Sequence, residues 1–302
     1  MYSADDPRSQ LAASGASTPA DNSIPISAAY YRDFHDSEPD QVSELGSKTW
    51  VTRGQNCLIS WTDAVAGESL RVDAQPDEYM VLLFDRSAPI RVSARASSLE
   101  LNEGALVIVP PGQSEVAALA GGPIIRVFST VAESLNDSAA NSHLYEQRNP
   151  RCAELAPWPD PVDGFALRVY RLADAPSSPD RFGRIFRSTN LMVNFLPEEL
   201  APRNPKTLSP HHHDDFEQLS LAVQGTFVHH IRYPWGPRSD FWRDDEHVTT
   251  SAPSLAVIPP PAEHTTQGIG SYQQLIDIFS PPRQDFSAQP GWVLNAEDYP
   301  AP

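Results

Sequence analysis

The chain has 302 residues, enough for two modest domains or one large one, and its 40% hydrophobic content supports real cores. Its 39 acidic against 22 basic residues give a formal charge of −17, which argues against a nucleic-acid backbone or an anionic membrane as partner, since both recruit basic patches. Thirty prolines against fifteen glycines indicate ordered turns and edge strands, and few long helices.

Residues 1–25 are rich in Ser, Ala, Asp and Pro without periodicity and read as a mobile tail. They show no basic segment followed by an apolar one, and no apolar run in the chain approaches the ~20 residues that span a bilayer. A cytoplasmic protein with no membrane partner is the expectation. Cys57 and Cys152 are the only cysteines, expected to be reduced and structural.

Residues 26–131 read as a first β domain. Lys48–Thr52 and Cys57–Trp61 look like short strands, Tyr79–Phe84 is a buried apolar run, and Ile90–Ala94 alternates. Ala105–Val109 ends in Pro110-Pro111-Gly112, and Pro123–Ser129 closes the unit. Polar, Pro-rich residues 132–164 read as a linker, 165–288 as a second β domain, and 289–302 as an arm packing through Trp292 and Tyr299. Short strands separated by turn residues suggest sandwiches or barrels, hence an all-β protein.

The second β domain carries the chemistry. His211-x-His213 is followed after four residues by Gln218 and after six more by Gly225; His264 follows Pro259-x-Pro261. Alternation along a strand puts His211 and His213 on one face and His212 on the other, so two imidazoles can converge on one metal ion. The strand Gln218–Gln224 brings Gln218, Ser220 and Ala222 to one face. For a fourth ligand, strand alternation favours Gln218, whereas chemistry alone favours the carboxylate of Glu217.

In order and spacing these residues resemble the two motifs of the cupins. The first reads His-x-His, three or four residues, Glu or Gln, six residues, Gly. The second reads Gly, five residues, Pro-x-Gly-x-x-His, and here Pro253 and Pro261 stand where the glycines usually are. Some cupins use Gln at the fourth place, which also selects Gln218. The first β domain resembles the same pattern: Gly104-(five residues)-Pro110-x-Gly112-x-x-Glu115 matches the second motif, with Glu115 in the histidine's place. Counting back from Asp85 matches Glu78 to Gln218, and Arg71 and Asp73 to His211 and His213. The resemblance implies a bicupin, two tandem cupin-type β-barrels (a double-stranded β-helix, or jelly roll). It has one metal site, in the C-terminal unit: His211, His213, Gln218 and His264. Arg71, Asp73, Glu78 and Glu115 would form at most an ion cluster. A homodimer is the expectation by resemblance.

Three histidines and an amide oxygen suit one divalent transition metal, with Fe the leading expectation and Mn, Ni, Co or Zn as alternatives. His229 or His230 is placed to face the cavity and hydrogen-bond a small-molecule substrate; a satisfied structural role is the alternative. Arg232 and Arg238 offer anchors for an anion. Trp235, Phe241 and Trp242 form either an aromatic lid or a patch that packs elsewhere. The resemblance implies a metal-dependent dioxygenase acting on a small aromatic or diketone-like molecule. Ring opening or isomerisation of a sugar acid, and non-catalytic small-molecule binding, are the alternatives.

Overall fold

The computed structural model describes residues 7–11, 23–84, 87–175 and 177–302. Among them lie β1 (Tyr30–Asp33), β2 (Gln41–Val42), β3 (Lys48–Arg53), β4 (Cys57–Ala64), β5 (Ser69–Gln75), β6 (Tyr79–Leu83), β7 (Ile90–Ala94), β8 (Ser97–Leu101), β9 (Ala105–Val109), β10 (Gly112–Ala118) and β11 (Gly122–Ser129). They continue with β12 (Arg168–Arg171), β13 (Arg184–Arg187), β14 (Met192–Phe195), β15 (Gln218–Gln224), β16 (Thr226–Arg232), β17 (Glu246–Ser251), β18 (Ser254–Ile258), β19 (Glu263–Gly268) and β20 (Gln274–Phe279). The α-helices are single turns, as the proline count implies.

The strands form four sheets, two to a unit. A seven-stranded sheet, β12-β9-β6-β11-β4-β3-β2, faces a four-stranded one, β5-β10-β7-β8. A six-stranded sheet, β1-β18-β15-β20-β14-β13, faces a three-stranded one, β17-β16-β19. Strands β6 and β9 are apolar throughout because both their faces are covered. Tyr79, Val81 and Leu83 point into the first unit, whereas Met80 and Leu82 point out of it. The outward set meets Leu219, Leu221, Val257, Ile276 and Ile278 of the six-stranded sheet in one core shared by both units.

Each unit lends the other an edge strand. β1 lies within 26–131 yet pairs with β18, and β12 lies within 165–288 yet pairs with β9. A division at fixed chain positions is therefore crossed twice. The segment 132–164 buries Cys152 and Trp158 and bonds across the molecule, the Ala153 amide to the Asp215 carbonyl at 2.7 Å. Both cysteines are free and buried. Of the expected tail, Pro7–Gln10 form a 3-10 turn followed by Leu11; the rest, apart from 23–25, lies outside the described residues, as do Asp85 and Arg86. No helix among the described residues is long and apolar enough to cross a membrane.

Candidate metal centre

The strand expected to carry His211 and His213 is absent. The chain from 211 to 217 is a loop, held to the sheet by one bridge between His211 and His264. The His211 amide donates to the His264 carbonyl at 3.0 Å, and the His264 amide returns a bond at 2.7 Å. This places the two imidazoles 4.4 Å apart at their centroids. His213 swings in on the same side because its ring stacks on Phe216 at 4.5 Å and meets Phe279 edge-on at 5.9 Å. Gly225 ends β15 at φ +90°, and a side chain there would strike the Tyr272 carbonyl and Gln273.

One ligating nitrogen from each of His211, His213 and His264 falls within 4.8 Å of the others. The His211 Nδ1 lies 3.0 Å from the Ser209 carbonyl and the His264 Nδ1 lies 3.0 Å from the Ala262 carbonyl. Carbonyls accept only, so each Nδ1 carries the proton and each Nε2 presents a lone pair, that of His211 facing Arg8 Nη1 at 3.5 Å. Burial pushes all three imidazoles below the usual histidine range, His264 to about 4. At pH 7 the set is neutral, the state that binds a metal.

Gln218 opens β15 facing this set. Its Oε1 lies 2.8 Å from His213 Nε2 and 3.3 Å from His264 Nε2. Adjacent ligands on a first-row ion, each about 2.1 Å from it, stand roughly 3.0–3.4 Å apart, close to these two separations. The amide's orientation is held from behind: its Nε2 donates to Ser220 Oγ at 2.9 Å and to Asp277 Oδ1 at 3.1 Å, and Ser220 Oγ donates to the same Asp277 oxygen at 2.8 Å. Burial pushes the Asp277 carboxyl up to about 6. Glu217 points the opposite way: Oε2 accepts from the Gln55 amide at 2.6 Å and Oε1 from the Tyr145 hydroxyl at 3.3 Å. Burial pushes it up to about 7. Strand alternation thus separates the two candidates for the fourth position.

A cavity of about 70 Å³ opens beside the set, lined by Arg8, Phe182, His211, Gln218, His264 and Asp277 among others. The residues expected to meet substrate do not line it. His229 is buried in its own sheet, 3.1 Å from Thr266 Oγ1 and 3.3 Å from Thr250 Oγ1. Arg232 is exposed and paired with Asp245 at 2.6 Å. Trp235 is 68% exposed and stacks on Trp242 at 4.3 Å. The hairpin that carries Trp235 turns outward, and the strand histidine finds threonine partners within its sheet. His212 is exposed, 3.4 Å from Asp214. Asp277 and Arg8 were missed. An aspartate inside the apolar run Leu275–Ile278 was the readable signal for the first; nothing in Pro7–Gln10 signals the second.

No family model matches this sequence, and no curated protein matches it. Solved structures do. The formate complex of Lactobacillus farciminis oxalate decarboxylase superposes with a TM-score of 0.57 at 15% identity, covering 86% of this chain and 88% of that one. A serine-to-alanine mutant of Bacillus subtilis oxalate decarboxylase gives 0.56 at 14%, covering 92% and 86%. AerE from Microcystis aeruginosa gives 0.51 at 9%, covering 80% and 96%. These likenesses show the fold alone: an all-β, bicupin-like architecture.

Proposed function

We propose that this chain is an enzyme that uses one divalent first-row metal, held by His211, His213, His264 and Gln218, to transform a small oxygen-bearing organic molecule. The observation that carries this reading is the convergence of three neutral imidazoles and one aimed amide oxygen beside a cavity. The metal, when bound, supplies Lewis-acid or oxygen-activating chemistry at positions the four protein ligands leave open. Ser209 and Ala262 set the histidine tautomers, and Asp277 aims Gln218. Asp277 also lines the cavity with a carboxyl pushed up to about 6, close enough to neutrality to hold or release a proton during turnover.

With iron, the reaction is oxygen-dependent cleavage of a chelating substrate. The cavity is under half the ~150 Å³ that accommodates benzene, so a short diketone or oxo acid fits it better than an aromatic ring. A second reading is a manganese-dependent, non-oxidative reaction on a small carboxylate. It is supported by the Mn(II) centres of the Bacillus subtilis oxalate decarboxylase, which shares the fold at a TM-score of 0.54.

The test is elemental analysis of untagged protein prepared without added metal, together with oxygen uptake on short diketones, oxo acids and aromatic acids. About one iron per chain with substrate-dependent oxygen uptake supports the dioxygenase. Manganese with turnover of a carboxylate and no net oxygen uptake supports the second reading. Protein that takes up no metal overturns both.

A further inference from the structure

We propose that the first unit holds a binding site of its own, in which Arg126 takes a small oxyanion such as a carboxylate. The proposal stands apart from the metal-enzyme reading above. Strand β11 turns Arg126 inward: its neighbours Ile125 and Val127 lie in the core shared by both units, whereas Ile124 and Phe128 lie in the interior of the first. The position has a counterpart in the metal unit. Arg126 stands opposite Val81 on β6, two residues beyond Tyr79. Asp277 stands opposite Ser220 on β15, two residues beyond Gln218. Where the metal unit places a carboxyl, the first unit places a guanidinium.

That guanidinium lacks a counter-ion. Among the described residues its one hydrogen bond runs from Nη2 to Ser60 Oγ at 3.3 Å, and its Nε is buried without an acceptor. It lies 5.4 Å from the centre of the Phe128 ring, on which Tyr79 stacks at 4.7 Å. Burial lowers its pKa from the usual arginine value, and the one titratable group that opposes this is Tyr79, a phenol without charge at neutral pH. Arg32, in the same half of the chain, shows the completed arrangement: Asp40 accepts from its two Nη atoms at 2.8 and 3.0 Å. A cation withdrawn from water without a partner is costly, and an anion that supplies the missing charge removes that cost. Arg126 keeps part of its surface accessible, so a small anion can reach it. The guanidinium fork offers a carboxylate two parallel donors. Ser60 Oγ, having accepted from Arg126, keeps its own proton to donate.

The experiment titrates full-length wild type, Arg126→Gln and Arg126→Lys with sodium formate by calorimetry at constant ionic strength, each as prepared and after metal removal by a chelator. Metal content is measured alongside. Metal-free wild type is expected to bind one formate per chain. Arg126→Gln is expected to bind it at least tenfold more weakly and to hold as much metal as wild type before chelation. Arg126→Lys, which keeps the charge and loses the fork, falls several-fold. Should Arg126→Gln fail to fold, the lysine variant alone decides. Formate binding that vanishes from wild type with the metal overturns the proposal, because the anion then sits at the metal centre. Unchanged affinity in the variants overturns it as well. Wild type that takes up no metal yet binds formate through Arg126 overturns the proposed function and supports this inference.

Discussion

The two units share a strand plan and differ in what fills them. Between the seven- and four-stranded sheets lie Tyr79, Val81, Leu83, Val92, Val107 and Val116, an interior of ordinary hydrophobic packing. Between the six- and three-stranded sheets, the inward positions of β15 and β20 hold Gln218, Ser220 and Asp277, facing the His211, His213 and His264 cluster. Leucine-sized side chains in the first interior each contribute roughly 1.5–3 kcal/mol of burial. The second interior gives up much of that stabilisation for a polar network. It is supported instead by the apolar backs of the same strands, Leu219, Leu221, Ile276 and Ile278, in the shared core.

The pairing itself is preserved. Glu115 stands opposite Arg71 across β10 and β5, and His211 stands opposite His264. What changes is the face. Ser114, Val116 and Ala118 point inward, so the Arg71–Glu115 pair is left outside, with side chains 71% and 36% exposed. Glu78 is turned outward too, accepting from the Tyr299 hydroxyl at 2.7 Å and Thr189 Oγ1 at 3.2 Å; Tyr79 faces the interior as Gln218 does. Arg71, Asp73, Glu78 and Glu115 therefore form no shared cluster. A one-residue change of phase flips a strand's side chains from one face to the other. The first unit lacks the orientation for a metal site as well as the ligands.

The largest expected contrast is in metal binding. His264→Ala should reduce metal from one per chain to less than a tenth by elemental analysis, while Glu115→Ala leaves it unchanged; equal losses would break the comparison. Next in size is packing. Leu83→Ala should cost about 2–5 kcal/mol in urea unfolding with metal content intact.

Acid should act on the second unit. Burial pushes His229 down to about 4, so between pH 6.5 and 4 its unfolded form takes up a proton that the folded form does not. Stability therefore falls as pH falls through that window, by roughly 3 kcal/mol for this residue at its end. His229→Asn should lose less stability than wild type from pH 7 to 4; parallel curves would refute this. Asp277→Asn and Gln218→Ala should each weaken metal binding by roughly 10- to 100-fold, Glu217→Ala by much less. The reverse order would show that the amide is no ligand. Trp235→Ala, on an exposed hairpin, should change stability by less than about 0.5 kcal/mol and leave metal content unaltered.

Much of the scaffold was legible along the chain. β7, β9 and β15 occupy the positions read from the sequence, because strand alternation and terminating Pro and Gly act within a few residues. The histidine set was legible only through its resemblance in order and spacing to the two cupin motifs. The loop conformation of 211–217 was not, since His211 and His213 converge through a single bridge and an aromatic stack rather than strand pleat. His229, Arg232 and Trp235 were assigned to the cavity on position in the chain, and each is satisfied elsewhere.

The sequence by itself determined an all-β chain of bicupin-like pattern, which histidines could converge, and the relative faces of neighbouring residues. Only the tertiary structure decided which face of each strand meets the interior, that Asp277 stands behind Gln218, that edge strands are exchanged between units, and that Arg8 lines the cavity beside His211. The reason is physical. Alternation within a strand is local and defines faces only relative to one another. The choice between them is made by what packs against the sheet, and Arg8 reaches its place through contacts more than 200 residues away.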